Sequence, residues 1–251
     1  MELQTAPVQM VPPLVIEDFS MQQKYLWSSL SRKRHYPQFR IQTTVLFLIC
    51  LLIAQLAIAQ IETVANDKGK RIGLNLGYSQ QDRPPFNDED YAHITRSIKI
   101  QLAQKVWKKD RQALEILIEP SVYYVNHQLL NLFFIKPDKP NFEAQRALFT
   151  QNRSYEEYAL NLGLSYSYNL TYDLLAYGLV SIGPMTATAD TERQKKGFSF
   201  SDVLGAGMRY RIENLSFDLR FSLRHVSNAN LRSPNNGHNS AGVELGFSYH
   251  L

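Results

Sequence analysis

The sequence predicts an all-β protein: an eight-stranded antiparallel outer-membrane β-barrel preceded by a signal peptide. Three observations carry this. An apolar stretch, "TTVLFLICLLIAQLAIAQ", ends in Ala57-Ile58-Ala59 before Gln60, the small-residue pattern of an export-signal cleavage site. After Gln60 the hydrophobicity alternates with period two. The segments showing that alternation are joined by connections that are short and long in turn, as in a membrane barrel.

The chain has 251 residues, 44% of them hydrophobic and 20% charged, room for one large β domain. Tyr and Phe number 14 and 13, which suits strands and membrane-interface rings. The net charge of +4 is spread out, with no basic stripe interleaved with aromatics, so nucleic acid is an unlikely partner by composition. The single cysteine, Cys50, lies inside the apolar stretch, so no internal disulfide can form. Ile49 before it is not the small residue that a lipid-attachment signal needs. Three regions follow: an N-terminal extension over 1–40, a signal peptide over 41–59 and a barrel domain over 60–251. The extension is too long for an ordinary basic lead-in, and Met21 or a later position is the expected true start.

The strands follow in order. "RIGLNLGYS" sets Ile72, Leu74, Leu76 and Tyr78 against Gly73, Asn75, Gly77 and Ser79. Residues 93–107 and 111–126 are the next two candidates, with Pro120 predicting a bulge or bend in the second. "EYALNLGLSYSYN" sets Tyr158, Leu160, Leu162, Leu164, Tyr166 and Tyr168 on one face. Residues 172–183 and 198–212 come next. "NLSFDLRFSLR" opposes Leu215, Phe217, Leu219, Phe221 and Leu223 to Ser216, Asp218, Arg220, Ser222 and Arg224. The last segment, "SAGVELGFSYHL", runs to the end of the chain. Each has a greasy face and a polar face, because successive side chains on a strand point opposite ways. The polar faces carry small residues and opposite charges, a fitting interior for a narrow barrel, with Glu244 expected to pair with Arg220 or Arg224. A soluble exported barrel enclosing an apolar ligand is the competing architecture.

The stretch "RHVSNANLRSPNNGHNS", Arg224 to Ser240, holds the candidate chemistry. His225 and Ser227 continue the greasy face of the seventh strand. One reading is that the strand has left the hydrocarbon there. The other is nucleophilic catalysis, in which a neutral imidazole takes the serine proton. Residues two apart on a strand share a face, with Cα atoms about 6–7 Å apart. A site so placed would meet lipid. "SPNNG" reads as a tight turn or constrained loop.

His225-Val226-Ser227-Asn228-Ala229, followed by Ser233-Pro234-Asn235-Asn236-Gly237, resembles the C-terminal signature of the lipid A 3-O-deacylase (PagL-type) family of acyloxyacyl hydrolases. The resemblance covers Arg224 to about Gly246. It implies an eight-stranded outer-membrane barrel that removes an ester-linked acyl chain from lipid A of lipopolysaccharide. By position, Ser227 resembles the nucleophile, His225 the base and Asn228 a residue of the oxyanion hole. Asn239 stands where the family often has an acidic residue that orients the histidine, and Asn230 where glycine is frequent. An Asn can fix the imidazole tautomer but adds no negative charge.

The expected partners are lipid A and outer-membrane lipid, with a homodimer left open. Arg232, Lys195 and Lys196 are candidates to attract lipid phosphates. No cofactor or metal is expected: His93, His127 and His238 lack a metal-site spacing in sequence, and His238 reads as solvent-exposed. His250 reads as structural. The alternative function is a non-catalytic small outer-membrane barrel, structural or adhesive, which would have no use for Ser227 or His225.

Overall fold

The computed structural model describes residues 69–251. The N-terminal extension, the Met21 start and the signal peptide lie outside the described residues. Eight strands close into one barrel in sequence order, with the last pairing with the first. They are β1 (Lys70–Gln80), β2 (Tyr91–Lys109), β3 (Gln112–Leu129), β4 (Arg153–Asn169), β5 (Leu174–Ala187), β6 (Gly197–Ile212), β7 (Leu215–Ser227) and β8 (His238–His250). Neighbours are antiparallel throughout.

The tight turns gather at one end. Asp110 and Glu213 take φ of 50° and 54° there, the left-handed backbone that two-residue hairpins need. The four longer connections, over 81–90, 130–152, 188–196 and 228–237, gather at the other end. The 130–152 connection carries a single 3-10 turn (Leu132–Phe134) and one helix, α1 (Phe142–Phe149).

Which face points out decides the solvent. Leu76, Leu162, Val180, Leu204, Leu219 and Leu245 are exposed on the outer wall. Trp107, Tyr166, Tyr168, Tyr210 and Tyr249 are exposed towards its tight-turn end. The interior is polar. Arg71 and Arg209 share Glu115 at 3.0 and 3.3 Å, and Arg209 also meets Asp218 at 3.1 Å. Glu244 accepts from Lys99 at 2.8 Å and from Arg220, which also reaches Glu119 at 3.0 Å. Arg224 pairs with Glu157 at 2.7 Å and lies 3.7 Å from the Tyr123 ring centre. The distribution is a soluble protein turned inside out, the arrangement of a barrel dissolved in lipid. It is the reverse of the soluble-barrel alternative, in which the apolar face would line the interior.

Two sequence expectations need correction. Pro120 makes no bulge: the β2–β3 pairing skips Pro120 and Glu119 but keeps the same register on either side, Lys99 facing Ser121 and Leu102 facing Ile118, and on β4 Pro120 faces Leu160. The register shift falls instead between Lys105 and Trp107. Strands also run further than the alternation showed, β3 to Leu129, β4 from Arg153 and β5 to Ala187. Past the hydrocarbon the outward positions turn polar, as at Asn126, Gln128, Ser154 and Glu156, so the period fades while the backbone keeps pairing.

Glu244 is the shared acceptor of two buried cations. Glu244→Leu should therefore strand Lys99 and Arg220 and cost about 3–5 kcal/mol. Leu245→Val, next along the chain but facing lipid, should stay within about 1.5 kcal/mol. Urea unfolding in detergent or vesicles measures both; equal effects would show that the interior pairs do not hold the barrel.

Candidate active site

Strand pairing places the motif at the loop end of the barrel, on its outer wall. Asp202, His225 and Asn239 stand side by side on β6, β7 and β8, as register partners. The next outward row towards the membrane is Leu204, Leu223 and Ala241. His225 is exposed and Ser227 half-buried, while Val226 between them is 2% exposed and faces in. The imidazole and hydroxyl thus look out of the cylinder, at the edge of an apolar wall.

His225 Nδ1 lies 2.7 Å from Asn239 Oδ1. An amide oxygen only accepts, so Nδ1 carries the proton and Nε2 keeps its lone pair. Asn239 does for the tautomer what an acidic residue would do, without its charge. Ser227 faces Phe200 across the β6 pair, and Phe200 packs edge-on against Phe198 at 5.1 Å.

Asn228 is fully buried. Its backbone N–H donates to Asn235 Oδ1 at 2.7 Å. Its side-chain amide donates to the carbonyls of Arg232, at 2.8 Å, and Pro234, at 3.3 Å. Asn235 in turn donates to Asn230 Oδ1 at 3.0 Å. These bonds fold residues 228–237 into a compact loop beside Ser227. To stabilise an oxyanion, Asn228 would have to exchange one of these acceptors for the substrate oxygen. Ala229 and Asn230 take φ of 51° and 62°. That conformation explains why glycine suits position 230 and why Asn, the side chain next most at ease there, can replace it.

A second loop locks the first. Arg193 Nε donates to the Gly237 carbonyl at 2.8 Å, Asn236 N–H to the Arg193 carbonyl at 2.9 Å, and Arg232 to the Lys196 carbonyl at 2.9 Å. Of the expected phosphate-attracting cations, Arg232 is thus engaged with the loop, Lys195 sits 3.7 Å from Asp190, and Lys196 also has a partner.

Asp202 escaped the sequence reading. It is 23 residues from His225 in the chain, and nothing local links them. Only strand register sets it across from His225, and its Oδ1 is buried without a hydrogen-bond partner. His238 needs correction: it is 3% exposed, because the first residue of β8 points into the barrel rather than into solvent.

The family model for lipid A 3-O-deacylase (PagL) matches residues 147–248, a span that contains the whole motif. No curated protein sequence matches the chain. Among solved structures, the chain is similar to the outer membrane enzyme PagL, with 14% identity, a TM-score of 0.46, and coverage of 72% of this chain and 99% of that one. It is also similar to Neisserial surface protein A, at 11% identity and TM-score 0.45, covering 73% and 97%. Ail of Yersinia pestis is similar at 11% identity and TM-score 0.39, covering 73% and 99%. The chain is a bacterial outer-membrane barrel whose C-terminal strands resemble those of lipid A deacylases.

Gly237 has φ of 66°, and a Cβ there would come 2.4 Å from the Val226 carbonyl oxygen. Gly237→Ala should therefore loosen the 228–237 loop by about 1–3 kcal/mol. Amide hydrogen exchange in micelles reads this as faster exchange at Asn228 and Asn236; unchanged protection would show that the loop does not depend on this glycine.

Proposed function

We propose that the protein is a serine esterase of the outer membrane that removes an ester-linked acyl chain from lipid A. The observation that carries the reading is the His225–Asn239 hydrogen bond. It leaves a basic imidazole nitrogen on the same lipid-facing strand edge as Ser227.

The reaction follows from these groups. His225 Nε2 takes the Ser227 hydroxyl proton as Oγ bonds to the ester carbonyl carbon. The carbonyl π pair moves to oxygen and forms a tetrahedral oxyanion. Asn228 would meet that charge by turning its amide from the Arg232 or Pro234 carbonyl to the substrate oxygen. Collapse breaks the bond to the sugar oxygen, which leaves with the proton held by His225. Water then adds to the acyl-serine with His225 again as base, and the fatty acid departs. The acyl chain would lie along the outward row of Leu204, Leu223 and Phe221, which continues from His225 into the hydrocarbon. Lipid A would enter sideways from the membrane, with its sugar at the loops.

Asp202 completes the arrangement. Directly opposed residues on paired strands have Cβ atoms about 4.5–5.5 Å apart. From that position the Asp202 side chain would add the negative charge that Asn239 lacks, facing the imidazolium formed in the transition state. Asn239 sets the tautomer and Asp202 contributes the field.

Mass spectrometry of lipid A from cells expressing each variant tests the reading. Wild type should release an acyl chain; Ser227→Ala and His225→Ala should lower the rate by about 10³-fold or more, with the barrel inserted. Unaltered lipid A in cells carrying inserted wild type would remove this substrate. Asn239→Glu should raise the rate about tenfold or more, and Asp202→Asn should lower it about tenfold. An Asp202→Asn enzyme as fast as wild type would leave Asp202 no part in the chemistry.

A further inference from the structure

The barrel interior holds a histidine cluster on the opposite side of the strand pair that carries the motif. His93 on β2 and His127 on β3 are register partners. Both point inward, with exposures of 1% and 2%. His238 joins them from the start of β8. Its ring stacks on that of His93 at 4.6 Å and meets that of His127 edge-on at 5.1 Å. One ring nitrogen from each of the three lies within 4.8 Å of the other two. Their separations along the chain, 34 and 111 positions, are no metal-site spacing, and only barrel closure gathers them.

We infer that His93, His127 and His238 form a binding site for one divalent transition-metal ion, zinc by the ligand chemistry. Three imidazoles are a zinc ligand set, with the fourth position left to water. The Nδ1 atoms of His93 and His127 are 3.2 Å apart. Two nitrogens about 2.0–2.1 Å from zinc at a tetrahedral angle are separated by about 3.3 Å. Two of the three outer nitrogens are already held. His127 Nε2 donates to the Glu192 carboxylate at 2.9 Å, so its Nδ1 carries the lone pair. This is the carboxylate–histidine pairing that orients metal-bound imidazoles. His238 Nε2 lies 3.2 Å from Thr191 Oγ1, on the same loop as Glu192. His238 Nδ1 is buried with no hydrogen-bond partner, which is costly for a polar atom unless something binds it. Zinc binding needs His93 only to move its ring proton from Nδ1 to Nε2, so all three rings stay neutral.

The position gives such an ion a consequence. His238 is the register partner of Val226, which lies between His225 and Ser227, and it precedes Asn239 in the chain. An ion on His238 would pin the β7–β8 end from inside the barrel and tie it to β2 and β3.

The test uses the full chain, exported and purified in detergent, stripped with chelator, loaded with zinc chloride and dialysed. Elemental analysis should find one zinc per chain in wild type and in His250→Gln, which lies outside the cluster. It should find less than one tenth of that in His93→Gln and in the His93→Gln/His127→Gln pair. Heat-modifiable migration on gels confirms that each variant is folded. Cobalt chloride in place of zinc should give the intense visible absorption of a tetrahedral ion in wild type alone. Zinc content in folded wild type no higher than in the double variant, or cobalt with only the weak spectrum of the hydrated ion, would overturn the inference. None of these readouts needs lipid A, so they stand or fall apart from the esterase reading.

Discussion

Lipid cannot hydrogen-bond a backbone, and the rest of this structure follows from that constraint. Each amide and carbonyl at hydrocarbon depth must find its partner on a neighbouring strand. Eight strands satisfy this only if the last returns to the first, as β8 does from Gln80–Ala241 to Arg71–His250. Closure then fixes the side-chain pattern. A slip of one residue in any pair would send Arg220 into lipid and Leu219 into the lumen. The interior ion pairs are thus a second lock. Glu244 with Lys99 and Arg220, and Glu115 with Arg71 and Arg209, are satisfied only in one register. A uniform aliphatic lumen would fill the space without enforcing it.

The same alternation sorts the chemistry at the end of β7. His225 and Ser227 look towards lipid; Arg224, Val226 and Asn228 look inward or into the loop. Asn239 looks out beside His225, while His238 looks in at His93 and His127. One pair of strand ends therefore faces two environments, a lipid edge and a dry polar core. The loops over 188–196 and 228–237 hold that pair between them, with Arg193 spanning to Gly237 and Glu192 reaching His127.

How much of this could be read from the sequence depended on the range of the information. A strand's two faces are a local property, so Leu215 through Leu223 and Tyr158 through Tyr168 announced themselves. So did the motif, because His225, Ser227 and Asn228 are consecutive or nearly so. Asn239 as the partner of His225 came from the family resemblance, and the hydrogen bond between them agrees with it. What failed was non-local or fell outside the apolar band. Nothing near His238 in the chain shows that β8 starts there and turns its side chain inwards. Asp202 is placed by β6–β7 register, which no hydrophobic pattern states. Pro120 misled because its missing N–H was given more weight than the register of the two strands flanking it.

An amide rather than a carboxylate at position 239 has a physical logic in this setting. An ionised carboxylate at position 239 would stand with that of Asp202 on either side of His225, a second charge carrying a desolvation cost on one row at the lipid edge. An amide accepts the same Nδ1–H at 2.7 Å without that cost. The charge the imidazolium wants can come from elsewhere, since Coulomb attraction does not need a hydrogen bond. Asp202, beside His225 on the other neighbouring strand, is placed to supply it. Orientation and charge would then come from two strands instead of one side chain, and each could change while the other kept the histidine usable.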